Sequence, residues 1–141
     1  VVLQLKALGV EDVVGFDFMD RPPTASLLRA LELLYALGAV GPDGHLSHPL
    51  GAHMARLPVD PMFSKVLLLS GEMGCCEEAL GVVSMVSAEN VFFTPRGKAE
   101  EAAEARKRFA CPFGDHTMML QVFQAWMEVP ARERGRWCRD H

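Results

Sequence analysis

Between Leu57 and Phe93 the chain reads Leu-Pro-Val-Asp-Pro-Met-Phe-Ser-Lys-Val-Leu-Leu-Leu-Ser-Gly, then Glu-Met-Gly-Cys-Cys-Glu-Glu-Ala-Leu-Gly-Val-Val-Ser-Met-Val-Ser-Ala-Glu-Asn-Val-Phe-Phe. The pattern predicts two apolar helices with marked ends. Asp60 can cap the first, and Pro61 at its first position loses no hydrogen bond, because that amide has no helical partner. Met62, Val66, Leu67 and Leu69 leave little polar surface, so this helix is expected to be buried and to stop at Gly71. The second helix opens on Glu77 and Glu78, where the helix dipole favours negative charge. Leu80, Val82, Val83, Met85 and Val86 make it apolar almost all round. Gly81 inside it costs about 1 kcal/mol against alanine, and close approach of a neighbouring helix is a reason to keep it. A buried helix pair needs elements on every side, and the rest of the chain must supply them.

Composition allows this. In 141 residues, half of them hydrophobic, there is room for one domain with a real core or two small ones sharing an interface. No apolar run approaches the roughly 20 residues of a spanning helix, so no membrane partner is expected. Val1 is not a natural start, and the helical pattern there begins abruptly; the chain is expected to be a piece of a larger protein. Cys75, Cys76, Cys111 and Cys138 lack the spacing of a disulfide framework and read as reduced thiols of an intracellular protein.

Charge limits what the chain can bind by itself. The net charge is −4, and residues 1–93 hold five Lys/Arg against eleven Asp/Glu, while 94–141 hold nine against seven. Phosphate neutralisation supplies most of the affinity for nucleic acid, so the isolated chain should bind it weakly at best.

From the N-terminus, Val1, Leu5 and Leu8 repeat at helical spacing up to Gly9. A short mixed segment ends at Asp20-Arg21-Pro22-Pro23. Thr24 is then expected to cap a helix whose broad apolar face is Leu27, Leu28, Leu31, Leu34 and Tyr35. Ala39-Val40, Gly-Pro-Asp-Gly (41–44) and His45-Leu46-Ser47 predict a short β-hairpin. Pro49 opens a short helix with Leu50, Met54 and Leu57. Helix, short segment, helix and hairpin are the order of a winged helix. Past the central pair, Lys98 to Phe109 predicts a helix with acids first and bases last, including a Glu104–Arg108 pair. Asp115 is expected to cap the next helix. Met119, Val122, Phe123 and Trp126 form its inner side, and Thr117, Gln121, Gln124 and Glu128 line the other at i, i+4, i+7 and i+11. A last basic helix holds Arg132, Arg134, Arg136, Arg139 and Trp137.

Catalytic and metal motifs are thin. Gly97-Lys98 has the ending of a phosphate-binding loop, but Phe92 stands where its first glycine belongs and Ala99 replaces the magnesium-binding hydroxyl. His45, His48 and His53 have no further ligands at metal spacing, and Cys138 with His141 has no second pair. Asp115-His116 reads either as acid/base chemistry, as ligand contact from a helix start, or as a capping aspartate beside an incidental histidine.

Taken together, several segments resemble the region that follows the motor lobes of DEAH-box RNA helicases. They are Val-Val-Leu-Gln-Leu-Lys-Ala-Leu-Gly-Val (1–10), Phe-Asp-Phe-Met-Asp-Arg-Pro-Pro (16–23), Ala-Leu-Glu-Leu-Leu-Tyr-Ala-Leu-Gly-Ala-Val (30–40) and Pro-Leu-Gly (49–51). The series continues through Leu-Pro-Val-Asp-Pro-Met-Phe-Ser-Lys-Val-Leu (57–67), Gly-Cys-Cys-Glu-Glu (74–78), Val-Ser-Met-Val-Ser-Ala-Glu-Asn-Val-Phe (83–92), Gly-Asp-His (114–116) and Trp-Cys-Arg-Asp-His (137–141). The loop after Phe93 departs from the family pattern, which places Arg directly before Pro; here Thr94 precedes Pro95 and Arg96 follows. The four residues before Gly114 are also particular to this chain.

The resemblance implies a mainly α fold: a winged helix with a short β-hairpin over 1–57, then a ratchet-like helical bundle over 58–141. RecA-like lobes and an OB-fold would belong to the rest of the parent protein. ATP and Mg2+ would bind in those motor lobes, with no cofactor in this chain. It implies an auxiliary part of an ATP-dependent helicase that helps enclose single-stranded RNA and couples motor motion to translocation and unwinding, in an intracellular, nuclear setting such as mRNA splicing. The expected RNA-facing residues are His116, Thr117 and Gln121, with Arg96 and Lys98 as phosphate contacts; Asp60 and Asp115 are the expected structural caps. Two other readings stay open. One is an interaction module receiving a G-patch-type activator on the winged helix. The other is a free winged-helix DNA-binding protein, which would want a basic recognition helix where this chain offers only Arg29.

Overall fold

The computed structural model describes residues 1–88 and 91–140. Glu89 and Asn90 of the Ala-Glu-Asn-Val stretch, and His141 of the Cys138–His141 spacing, lie outside the described residues. The described helices are α1 (Val2–Ala7), α2 (Thr24–Ala36), α3 (Leu50–Met54), α4 (Pro61–Met73), α5 (Cys76–Ser87), α6 (Ala99–Lys107), α7 (Asp115–Glu128) and α8 (Arg134–Asp140). The fold is mainly α, in two compact units, Val1–Gly74 and Cys75–His141.

The first unit is built round Val2 and Leu3 of α1, Val13, Leu27 and Leu34 of α2, Ala39, Val40 and Met54. One expectation about its local structure needs correction. Thr24 does not cap α2; it is the first helical residue, with Pro23 as N-cap in an extended conformation. The Pro23 carbonyl already accepts from the amides of Ser26 and Leu27, so the helix starts one residue early. The expected hairpin is present and short: the antiparallel bridge Val40–Leu46 closes a turn in which Gly44 adopts φ 76°. Beside the bridge the Gly41 amide donates to the His45 carbonyl at 2.8 Å and the Ser47 amide to the Ala39 carbonyl at 3.0 Å, and the Ser47 hydroxyl makes two further bonds. It donates to the Gly38 carbonyl at 2.6 Å and accepts from the Gly51 amide at 2.9 Å. A Cβ on Gly51 would lie 2.1 Å from the Ala39 carbonyl oxygen, so α3 sits against this turn only because residue 51 has no side chain.

The Leu-Pro-Val-Asp-Pro segment shows how α4 is anchored. Asp60 accepts the Met62 amide hydrogen at 2.9 Å, and Pro61 occupies the first turn. Lys65 donates to the Leu37 carbonyl at 2.6 Å, which places a cation at the end of α2, where the helix dipole is negative. Gly71 does not stop the helix. It continues to Met73, and Gly74 at φ 72° provides the left-handed cap, its amide donating to the Ser70 carbonyl. The expectation that α4 is buried by its large side chains is also corrected. The buried positions are Ser64, at 0% exposure, and Ser70, whereas Met62, Val66, Leu69 and Met73 are 40–77% exposed. These four repeat at i, i+4, i+7 and i+11, so one face is apolar and open, while the small hydroxyl side lets the helix approach its neighbours.

In the second unit the main contact is α5 against α7. A Cβ on Gly81 would stand 3.1 Å from Phe123 Cδ1 and 3.2 Å from Leu120 Cδ1, which is the close approach that a glycine at this position suggested. Val83 and Val122 are buried at the same contact. Glu104 pairs with Lys107 at 2.8 Å, one residue short of the expected Arg108; both ends are exposed, so the pair is worth at most about 1 kcal/mol. All four cysteines are free. Among the described residues no helix is long and apolar enough to cross a membrane.

Two substitutions check this architecture. Asp60→Ala removes the cap of α4 and should destabilise by about 1 kcal/mol, read as a lowered urea midpoint; superimposable unfolding curves would place the helix start elsewhere. Gly81→Val is the sharper case, because helix propensity alone would make it slightly stabilising. With Phe123 and Leu120 already in contact, the added carbons should instead cost roughly 1–3 kcal/mol. A raised unfolding midpoint would contradict the α5–α7 packing.

Candidate nucleic-acid interface

The start of α7 gathers three of the residues that the sequence singles out. The Gly114 amide donates to the Cys111 carbonyl at 3.4 Å, which closes a four-residue turn with Pro112 in its second position. Gly114 follows at φ 100° and is the N-cap of α7; its carbonyl accepts from the Met118 amide at 3.1 Å. Asp115 is therefore not the cap. It is the first helical residue and makes no side-chain capping bond, because the conformation that begins this helix is a left-handed one that glycine adopts without strain. Its carboxylate remains in the first turn, where the dipole still favours it.

His116 and Gln121 are exposed, and Thr117 is half-buried. Gln121 Nε2 donates to Cys111 Sγ at 3.9 Å, a long contact that ties the second turn of α7 back to the loop before it. Gln124 and Glu128 continue the exposed side. His116 has no side-chain hydrogen bond among the described residues, so nothing orients it as a general base. What the surface offers is hydroxyl, amide and imidazole groups. Such groups suit phosphate and ribose oxygens, which position a strand without reading its sequence.

Arg96 and Lys98 stand on the other loop, ahead of α6, and no hydrogen bond or ion pair joins them to α7 among the described residues. Arg96 is exposed. Lys98 is the residue before α6 and pairs with Glu101 at 3.0 Å; so exposed a pair yields easily to a stronger anion.

Two arginines behave differently from what the basic pattern suggests. Arg106 donates to the Phe92 carbonyl at 3.1 Å and to the Thr94 hydroxyl, and its guanidinium lies 5.7 Å from the centre of the Phe92 ring. Arg134 donates to the carbonyls of Val129 at 3.0 Å and Met127 at 3.2 Å, and stacks 4.1 Å over Trp126. Both fasten loops to aromatic rings. The only signal in the sequence is the aromatic residue one loop away. Beside them a cavity of about 480 Å³ is lined mainly by Met85, Phe92, Phe109, Phe123, Trp126 and Trp137. Its lining is apolar, so it has the character of bundle core. Among the described residues no three His, Cys, Asp or Glu gather to hold a metal.

Comparison with known proteins matches the winged-helix part of the helicase associated domain (HA2) to residues 30–59. The ratchet-like part of the same domain matches residues 60–119. The probable ATP-dependent RNA helicase DHX35 of Homo sapiens is 42% identical over 141 residues, covering all of this chain and 20% of that protein. The pre-mRNA-splicing factor ATP-dependent RNA helicase DEAH10 of Arabidopsis thaliana is 39% identical over 153 residues, covering all of this chain and 21% of its own length. The pre-mRNA-splicing factor ATP-dependent RNA helicase prp22 of Schizosaccharomyces pombe is 44% identical over 140 residues, 99% of this chain and 12% of that protein. The chain thus spans about a fifth or less of the length of the curated relatives it matches. The family division at 59/60 and the compact division after Gly74 differ over one element, α4.

Proposed function

We infer the function of this chain from its family: it belongs to the winged-helix and ratchet-like helicase-associated (HA2) domains of the DEAH-box RNA helicases. We propose that it is the auxiliary part of such a helicase, with a winged helix over 1–57 and a bundle from 58 onward. In this reading the bundle forms one wall of a channel for single-stranded RNA, completed by the RecA-like lobes and OB-fold of the same protein, and couples ATP-driven motion of the lobes to translocation. The relatives described as pre-mRNA-splicing factors support a nuclear, splicing-related setting.

The observation that carries the reading is the open polar start of α7. His116, Thr117 and Gln121 offer contacts to a sugar–phosphate backbone without a base pocket, as stepping along any sequence requires. Arg96 and Lys98 are the accompanying phosphate contacts. A chain of net charge −4 grips RNA measurably only when the rest of the channel is present. A second reading is favoured by a different observation. Leu28 and Tyr35, seven residues apart on one side of α2, are exposed on the winged helix, apolar groups suited to a G-patch-type activator.

ATP and Mg2+ belong, on this proposal, to the motor lobes. The fragment alone should neither bind nor hydrolyse ATP, and turnover that persists through repeated purification would refute it. In the full-length helicase, His116→Ala with Gln121→Ala removes two hydrogen-bonding side chains. Their loss should lower unwinding and RNA-stimulated ATP hydrolysis roughly tenfold, with RNA-free hydrolysis retained. Unchanged unwinding by a well-folded double variant would make this face ordinary surface.

A further inference from the structure

The turn that leads into α7 carries an aromatic ring that the second unit does not use for packing. Phe113 is 84% exposed. Phe109 meets Trp137 edge-on at 6.1 Å, Phe123 stacks with Trp126 at 6.3 Å and Phe92 lies under the Arg106 guanidinium, while Phe93, in the loop before α6, is the other exposed ring at 73%. Phe113 makes no ring contact among the described residues. Leaving a phenylalanine in water forgoes about 1.5–3 kcal/mol of burial, so a ring held outward is a costly surface feature.

The backbone that carries the ring is tied down. Pro112 fixes the backbone dihedral ahead of it, the Gly114-to-Cys111 hydrogen bond closes the turn, and the Cys111–Gln121 contact fastens that turn to α7. A side chain with only two rotatable bonds loses little entropy when something settles on it. Its neighbours along the chain are the polar groups already assigned to the strand, His116 and Thr117, two and three residues beyond the Phe113–Gly114 peptide. Polar groups for the backbone beside one flat apolar ring are what a single strand with unpaired bases presents a match for. Every base has a π-face, so stacking adds affinity without sequence choice.

We propose that Phe113 is a base-stacking residue: its ring receives an unpaired base of the strand whose sugar–phosphate chain is held by His116 and Thr117. The proposal rests on the reading of α7 as part of the channel wall, and deepens it by adding a contact to the bases where the polar face touches only the backbone.

The test uses the full-length helicase and a fluorescent 12-nucleotide oligoadenylate. Phe113→Ala should weaken binding roughly tenfold, within the range seen when a stacking ring is truncated. Phe113→Tyr and Phe113→Trp should bind as the parent does, and Phe113→Leu, apolar but without a π-face, should bind like Phe113→Ala. RNA-free melting temperatures should stay together across the series, as befits an exposed side chain. Phe113→Leu binding like the parent would overturn the stacking role. So would unaltered RNA affinity with a lowered melting temperature, which would show the ring docked on another part of the protein. The His116→Ala, Gln121→Ala double variant in the same assay separates the two layers. If it weakens binding while Phe113→Ala does not, stacking alone falls. If neither weakens it, the channel reading falls with it.

Discussion

Where two backbones must approach closely, a single glycine decides whether the packing can exist, and each unit of this chain has one. At Gly51 a side chain would run into the Ala39 carbonyl, a backbone atom that cannot swing away. Ser47 then joins the turn to α3 by donating to Gly38 and accepting from Gly51. At Gly81 the obstacle is softer, the ends of Phe123 and Leu120, but those side chains hold α5 on α7 and so fix the direction in which α7 presents its polar side. The surface discussed above depends on that contact. If α5 and α7 were pushed apart, His116 and Gln121 would keep their places on the helix and lose their orientation in the bundle.

Much of this was legible in the residues. Asp60-Pro61 announced the start of α4, the glycine inside α5 announced a close neighbour, and the Gly-Asp-His run lay at the start of α7. What the pattern could not give was register to a single residue. At both α2 and α7 a plausible capping side chain, Thr24 or Asp115, turned out to stand one position inside the helix. In each case the residue before it, Pro23 or Gly114, already had the non-helical backbone that a cap requires. Side-chain chemistry suggests a cap, but backbone dihedrals place it. The same limit explains α4. Counting apolar residues marked it as buried, while packing chose the side where Ser64 and Ser70 are small enough to let the helix in.

The α4 helix also explains how two divisions of the chain coexist. By family it begins the ratchet-like part, and by contacts it belongs with the first unit, to which Lys65 ties it through the end of α2. The helix ends at Gly74, whose left-handed backbone closes it. Its face of Met62, Val66, Leu69 and Met73 stays open.

Under the proposed reading, the shortage of free positive charge is itself informative. Residues 94–141 hold nine bases beside seven acids, and Arg106 and Arg134 are spent on aromatic rings and carbonyl oxygens, while Lys98, Lys107, Arg132 and Arg136 are only loosely engaged in exposed pairs with acids. A wall built on phosphate charge would hold a strand tightly and release it slowly, since each neutralised phosphate adds to affinity. Contacts from a hydroxyl, an amide and an imidazole are worth about 1 kcal/mol each and exchange readily with water. For a strand that must be gripped and let go at every step, that weakness is useful: the motor has to break only small interactions, one after another, and the grip comes from their number.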